Sequence, residues 1–435
     1  MDYPGLTRRR FLRVAAASAA GAAAAPYVIT SSALGRAAGV PPAGERVTLA
    51  HIGVGGQGSG LLGHFLGLGL GQSVAVCDCF QSRRESAAQR VEATYTQRGG
   101  GGSYKGCTSY ADFREVMARG DIDAVVIATP DHWHVPLGLA AARAGKDMYI
   151  EKPLGLAVEW DKALRQAVRR YGRVFQYGTQ QRGQAHIRLG CELVLSGRIG
   201  KVTAVDVVAP DGAVGGSTVP IPVPEGFDYD RWLGPAQASP YTADRCTSSG
   251  SWHVYDNSIG FLGGWGAHPL DVLHWGYPDA IPAEYEGTGF IPSTGLFSTV
   301  VHWDIKGRYA NGVPFTLKPG GDSTKFIGTE GWIRLSRGGW DAEPKSLLKA
   351  TLGPNDVRLH ASNDHKRDFL ECVKNRADPA SHIDTACQSD FISHLSDIAV
   401  RTGRRIVWDP VKETIVGDAD AARMLTRPMR APWRL

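Results

Sequence analysis

Val47-Thr-Leu-Ala-His-Ile52-Gly53-Val-Gly55-Gly-Gln57-Gly58 reads as a short apolar strand running into a G-x-G-x-x-G turn, with an apolar helical stretch from Leu61. Each glycine has a job in that pattern. Gly53 permits the tight turn, Gly55 lets backbone approach a pyrophosphate, and Gly58 lets the helix pack closely on the strand. The helix N-terminus then offers unpaired N–H donors to the phosphates. Gly53, Gly55, Gln57 and Gly58 are therefore the first candidate cofactor contacts. In a chain with 54 glycines the pattern alone is weak, so its context decides.

The next strand, Ser73-Val-Ala-Val-Cys77, ends in Asp78, which stands 20 residues beyond Gly58. An acid at that distance suits the ribose hydroxyls of NAD. Arg83 and Arg84 follow and could instead receive a 2′-phosphate, so NADP stays open beside NAD. A third strand, Ala124-Val-Val-Ile-Ala128, ends in Thr129-Pro130-Asp131-His132-Trp133-His134 and leads into a helix through Ala144. A fourth, Met148-Tyr-Ile150, ends in Glu151-Lys152-Pro153. Strands alternating with helices predict an α/β fold with a doubly wound parallel sheet, in which ligands bind outside the carboxyl ends of the strands. Gly53, Asp78, Thr129, Pro130 and Glu151 all fall at such ends.

The chain has 435 residues, 43% hydrophobic and 21% charged, enough to bury two domain cores. Its N-terminus carries Thr7, Arg8, Arg9, Arg10, Phe11, Leu12 and Arg13, then an Ala-rich stretch from Val14 to about Ala25. That is the layout of a twin-arginine export signal. The stretch is short of the roughly 20 strongly apolar residues that span a bilayer, so it reads as a cleavable signal, with an uncleaved anchor as the alternative. Residues 1–38 form the signal and its linker, and the protein is expected outside the cytoplasm, in the periplasm. Those residues hold +4 of the formal +5 charge, which leaves the rest close to neutral. A near-neutral chain gives no reason to expect nucleic acid or an anionic membrane as partner. The seven cysteines are dispersed without CxxC or zinc-like spacing, and no disulfide framework or metal is expected. His268, Asp271 and His274 do not converge on one helix face as i, i+4 ligands would, so they make no metal site either.

The runs AHIGVGGQGSG, VIATPDHWHVPLGLAAARAGKDMYIEKPL and GGWGAHPLDVLHWG together resemble the Gfo/Idh/MocA oxidoreductase family, and the C-terminal run from Arg401 to Leu435 resembles its exported bacterial members. The resemblance implies a Rossmann domain over residues 46–178 and an α/β domain with an open, mostly antiparallel sheet over 179–362. A C-terminal helical segment and tail, 363–435, would pack back on the core. Few βαβ signals and many Gly/Pro-punctuated short strands after residue 180 agree with this. It also implies that Lys152 is the catalytic lysine beside the nicotinamide and the reacting carbinol. An amine held near a developing oxyanion can take or return the hydroxyl proton, and burial near a positive nicotinamide favours the neutral form.

His268 matches the family's histidine in an Asp-x-x-x-His helix motif, but Gly264 stands where the aspartate would be. His268 then acts with Lys152 alone or binds a sugar hydroxyl. His134, with Trp133, matches the family's histidine and aromatic near nicotinamide and substrate, whereas His132 is expected to be satisfied by backbone. Glu151 is expected to position cofactor or Lys152, and Gln180 and Arg182 to reach the cofactor amide and substrate hydroxyls. Trp252, His253 and Tyr255, in a Gly/Ser-rich loop, suit sugar stacking with polar edges. Asp271 and His274 are expected as packing or capping groups.

Twin-arginine export moves folded proteins, so a dinucleotide would be acquired before export and held tightly. The leading expectation is an NAD(P)-dependent oxidoreductase acting on a sugar or polyol. The alternatives are an NAD-dependent glycoside hydrolase that oxidises a ring hydroxyl transiently, and a non-catalytic dinucleotide- or sugar-binding protein. Small-molecule sugars, polyols or glycosides, the export machinery and a second copy of the chain are the expected partners.

Overall fold

Six parallel strands stand in the order β3-β2-β1-β4-β5-β6 in the computed structural model, which describes residues 42–98, 103–247, 250–278 and 281–435. They are β1 Val47–Ile52, β2 Gly71–Cys77, β3 Thr108–Tyr110, β4 Ala124–Ile127, β5 Asp147–Ile150 and β6 Phe175–Tyr177. The export signal expected from the sequence lies outside the described residues. β4 and β5 are buried at every position, as strands covered by helices on both faces must be. The strand order reverses between β1 and β4, and the crevice at their carboxyl ends is where such sheets bind ligands. The edge strands β3 and β6 are only three residues each, too short to leave a pattern in the sequence.

The turn after β1 needs its glycines. Gly53 has φ of 81°, and a Cβ there would lie 2.6 Å from the Ala128 carbonyl oxygen. A Cβ on Gly58 would lie 1.9 Å from the Gly53 carbonyl oxygen, so the helix Gly56–Leu68 can start this close to β1 only without one.

The second half is a nine-stranded sheet in the order β13-β12-β11-β7-β10-β9-β8-β14-β15. Its central strands are β7 Val202–Ala209, β8 Glu284–Phe290, β9 Val301–Arg308, β10 Pro314–Pro319 and β11 Ser323–Gly328. One flank carries β12 Trp332–Ser336 and β13 Gly339–Glu343, the other β14 Ile406–Asp409 and β15 Thr414–Ile415. Neighbours run antiparallel except β7 and β10, which are parallel. In β9, Val301, Trp303 and Ile305 are buried while His302, Asp304 and Lys306 are exposed, the alternation of a sheet covered on one face. The helices Ala185–Leu195, Ala267–Gly276 and Ile383–Thr402 cover that face.

The C-terminal region ties the halves together. The helix His365–Asn375 returns to β1, where Phe369 packs edge-on against Phe65 and Tyr149. The helix Ile383–Thr402 meets the helix Val158–Arg170, and their contact encloses Asp161, Asp390 and His394. His394 Nε2 lies 3.3 Å from Asp161 and 3.1 Å from Asp390. Burial works against charge on His394, but the two carboxyls override it and hold its pKa up at about 9. Burial, reinforced by the Asp390 charge, pushes the Asp161 carboxyl well above the usual range. Asp390 also accepts from the Tyr177 hydroxyl at 3.1 Å and from the Gly155 amide at 3.4 Å, so this cluster seats the chain just after Lys152.

Candidate active site

A cleft runs along the carboxyl ends of β1, β2 and β4, walled on one side by Gly53, Gly55, Asp78 and Thr129 and on the other by Arg231, Trp232, Thr247 and Trp252. Asp78 ends β2 with its carboxylate fixed: Oδ2 accepts from the Val54 amide and Oδ1 from the Phe80 amide, each at 2.9 Å. Burial raises its pKa, while these amides and the nearby Arg83 and Arg84 oppose the rise. The Arg84 guanidinium donates to the Asp78 carbonyl at 3.3 Å. Arg83 lies 3.9 Å over the Phe80 ring, and its Nη1 is 3.4 Å from where a Cβ at Gly55 would stand. Its charge therefore leans over the glycine turn, where phosphates would sit. The hydroxyl of Thr129, on the opposite wall, is buried without a partner in the protein. A glycine cradle, a cation above it, a fixed carboxylate at the second strand end and an unpaired hydroxyl fit a dinucleotide.

The far wall is stitched to the Rossmann half. The Gln81 amide donates to the Gly226 carbonyl at 2.8 Å, and the Asp228 amide to the Cys79 carbonyl at 3.1 Å. Phe80 and Phe227 stack with centroids 3.7 Å apart. The Trp232 carbonyl accepts from His132 Nε2 and Trp133 Nε1, both at 2.9 Å. The segment from Gly226 to Trp232 is thus a strap fastened beyond β2 and beyond β4, on either side of the cleft.

Lys152 stands at the cleft's Trp252 end. Its Nζ lies 4.7 Å from the centre of the Trp252 ring and 5.8 Å from that of Trp265. Burial lowers its pKa, with Glu151 and Asp131 opposing and Arg337 assisting. Glu151 is committed elsewhere: Oε1 accepts from Gln57 at 2.8 Å and Gln180 at 2.7 Å, and Oε2 from the Lys152 amide at 3.4 Å. Gln180 also donates to the Tyr149 hydroxyl at 2.9 Å, so one polar chain joins the glycine turn, the lysine loop and the entry to the second half. His268 is buried, its ring 5.9 Å from Trp265 and its Nδ1 without a partner. Burial, then the charges of Lys152, Arg337 and His365, hold its pKa well below the usual value, so the ring is neutral. Gly264 leaves real space, since a Cβ there would meet nothing within 4 Å.

Several expected binders serve the framework instead. Arg182 was expected at substrate hydroxyls but is buried in a two-pronged pair with Asp271, 2.7 Å on each prong, and donates to the Ala380 carbonyl at 2.9 Å. Tyr255 lies between Arg401 and Arg427, 3.4 and 3.7 Å from their guanidinium carbons, with its hydroxyl donating to Asp397. It is an anchor for the C-terminal segment, not a sugar platform. His253 packs against Phe261 and Phe297 and is turned away from that role as well. His134 is fully buried, with Nδ1 2.6 Å from the Pro153 carbonyl and Nε2 2.9 Å from the Thr129 carbonyl; burial lowers its pKa to about 4, and the neutral ring donates to one of the two. It braces two strand-end loops and has no free nitrogen for a cofactor. Trp133 lines the cleft, but its indole N–H is taken by Trp232 and its ring by Phe113 and Trp433, leaving only an apolar surface. Of Trp252, His253 and Tyr255, Trp252 is the one that reaches the lysine.

Three residues at the lysine were missed by sequence reasoning. Trp265 and Asp131 lay inside quoted motifs, and Asp131 had a visible signal as a carboxylate at a strand end. Arg337, in the turn between β12 and β13, lies 5.7 Å from the Trp265 ring and had no signal at all.

A Rossmann half with this cleft, joined to a second half whose helices bring a histidine and two tryptophans towards a strand-end lysine, defines a nicotinamide-dependent oxidoreductase architecture. The chain belongs to the Gfo/Idh/MocA oxidoreductase family: the family's NAD-binding Rossmann fold matches residues 47–179 and its C-terminal alpha/beta domain residues 213–435. Among curated relatives, a glycosyl hydrolase family 109 protein of Shewanella amazonensis is 37% identical over 167 residues, which span 36% of this chain and 36% of the relative. Among solved structures, the WlbA dehydrogenase of Bordetella pertussis in complex with NADH and UDP-GlcNAcA is 18% identical with a TM-score of 0.60, over 84% of this chain and 99% of that one. The aldose-aldose oxidoreductase of Caulobacter crescentus, complexed with glycerol, is 18% identical with a TM-score of 0.59, over 83% and 99%. At such identity these structures share the fold.

Proposed function

We propose that the chain moves hydride between a secondary hydroxyl or carbonyl of a sugar or polyol and an NAD that stays bound through the cycle. The observation that carries this reading is the position of Lys152: a desolvated amine beside Trp252, at the end of a cleft shaped for a dinucleotide. A bound nicotinamide supplies the site's hydride acceptor or donor. Lys152 takes the hydroxyl proton on oxidation and returns it on reduction. The neutral His268 ring can hydrogen-bond a substrate hydroxyl, and Trp252 and Trp265 shield the lysine from water. Asp78, fixed at the ribose end with the Arg84 guanidinium turned to the Asp78 carbonyl and Arg83 stacked over Phe80, favours NAD over NADP. The strap from Gly226 to Trp232, fastened on either side of the cleft and placing Arg231 and Trp232 on its wall, supports retention.

Export through the twin-arginine pathway to the periplasm completes this proposal and rests on Arg8, Arg9 and the apolar stretch that follows. A retained cofactor suits a compartment without a free pool, its reoxidation coming from a second sugar or from the later half of the same reaction. The open face of the nine-stranded sheet is proposed to meet a second copy of the chain.

A second reading, glycoside hydrolysis by transient ring oxidation, is favoured by the 37% identity to a glycosyl hydrolase family 109 protein. The test is to release cofactor from purified protein with denaturant, identify it by mass and absorbance, and incubate the native protein with sugars and aryl glycosides without added NAD. Bound cofactor that sugars reduce supports the oxidoreductase. Aglycone release supports the hydrolase, and protein purified empty defeats retention.

A further inference from the structure

Arg337 stands in the turn between β12 and β13, its guanidinium carbon 5.7 Å from the centre of the Trp265 ring that the Lys152 amine meets at 5.8 Å. The His268 ring lies 5.9 Å from the same indole, so one tryptophan gathers the lysine, the histidine and a second cation. We propose that Arg337 selects the substrate: the sugar taken here is a sugar acid, whose carboxylate pairs with Arg337 while its carbinol meets Lys152. The inference rests on the sugar redox reading and names the class of sugar.

What sets Arg337 apart is how little of it is used by the fold. Arg182 is spent on Asp271, and Arg83 leans over the glycine turn. The Arg337 side chain is 47% exposed, and Nε makes its one polar contact among the described residues, with the Asp322 carboxylate at 3.4 Å. That carboxylate is itself engaged at 2.7 Å by the Gln181 side-chain amide. Asp322 therefore steadies one edge of the guanidinium, while both Nη groups have no partner among the described residues. Two such N–H groups side by side are the fork that a carboxylate accepts on its two oxygens.

The surroundings leave that charge for a ligand to meet. Glu151 is buried and taken up by Gln57 and Gln180, and Asp131 is 2% exposed, so neither carboxylate is presented beside Arg337. Trp252, Phe261 and Trp265 meet edge to face, with centroids 5.5 and 6.2 Å apart, and all three are partly exposed. Their apolar surface suits the C–H groups of a sugar ring. A ligand that covers them also displaces water from the guanidinium, which strengthens its pairing with an anion. A neutral sugar would offer Arg337 hydroxyls alone, and hydrogen bonds with charge on both partners are the stronger.

The test uses the full chain with its bound cofactor and sugars that differ at one carbon: glucuronate against glucose, galacturonate against galactose, and glucose phosphate as another anion. Single-turnover reduction of the cofactor should favour an acid over its neutral partner by roughly 10–100-fold at low sugar concentration. Arg337→Met should bring that ratio to about one, chiefly by raising the half-saturating concentration of the acid, and Arg337→Lys, which keeps the charge but not the fork, should recover part of it. A wild-type ratio near one, a preference for the phosphate over both acids, or a ratio unchanged in Arg337→Met overturns the proposal. Should Arg337→Met not fold, Arg337→Gln is read in its place. If no sugar reduces the wild-type cofactor, the redox reading fails, and quenching of tryptophan fluorescence by glucuronate and by glucose decides the role of Arg337. Tighter binding of the acid that is lost in Arg337→Met upholds that role, and equal binding of the two sugars overturns it.

Discussion

Arg182 and Asp271 face each other inside the core through two N–H···O bonds of 2.7 Å, joining the entry of the second half to the helix that carries His268. Both side chains are essentially closed to solvent, at 2% and 0% exposure. Removing one partner strands the other's charge, so Arg182→Ala should cost about 3–5 kcal/mol in urea unfolding. The double change Arg182→Met with Asp271→Leu should cost less than either single truncation. A residue that bound substrate would instead raise KM at unchanged stability.

Lys152→Met keeps the apolar stem and removes the amine. Cofactor content of the purified protein should be unchanged, while the rate at which sugar reduces it falls by about 10²–10⁴. Stopped-flow absorbance of the reduced nicotinamide measures the second quantity and denaturant release the first.

Phe227→Ala removes half of the stack that fastens the strap over the cleft. Stacked pairs contribute about 0.5–1.5 kcal/mol beyond area burial, which corresponds to roughly two- to tenfold faster loss of cofactor on dialysis. Arg83→Ala, by removing the cation above Gly55, should act in the same direction.

The buried trio of Asp161, Asp390 and His394 predicts unequal effects of like substitutions. Burial pushes the Asp161 carboxyl towards its protonated form, which Asp161→Asn mimics, so that change should cost no more than about 1 kcal/mol. Asp390→Asn leaves one acceptor oxygen where Tyr177 and Gly155 use two, removes the counter-charge from His394, and should cost about 2–3 kcal/mol. His394 binds its proton more tightly folded than unfolded. Its contribution is therefore complete below 6.5 and disappears as pH rises through about 9, a slope that denaturation at several pH values will expose in the wild type.

Gly264→Ala should be neutral or stabilising by about 0.5–1 kcal/mol, because the added methyl meets no atom within 4 Å and the position ends a short helix. Thermal unfolding checks this, and a drop in melting temperature would mean that the space is not open.

The parts of the site that were legible in the sequence are those held by local spacing. The glycine turn, Asp78 and the Glu151-Lys152 pair each follow a strand within a few residues, and the strand fixes where they point. Arg182 misled because its partner lies 89 residues away, and nothing near an arginine in sequence reveals a buried carboxylate opposite it. Tyr255 misled for the same reason, since the guanidinium groups that enclose it come from Arg401 and Arg427. The sheet edges β3 and β6 escaped because three residues carry no periodicity.

The strap has a consequence for how the molecule is made. Phe80 and Phe227 come from opposite halves, and they meet only when those halves dock. Part of the wall facing the glycine turn is therefore completed only at that docking. A chain that folds with nucleotide in place is expected to load it faster than one that must take it up after the halves have met.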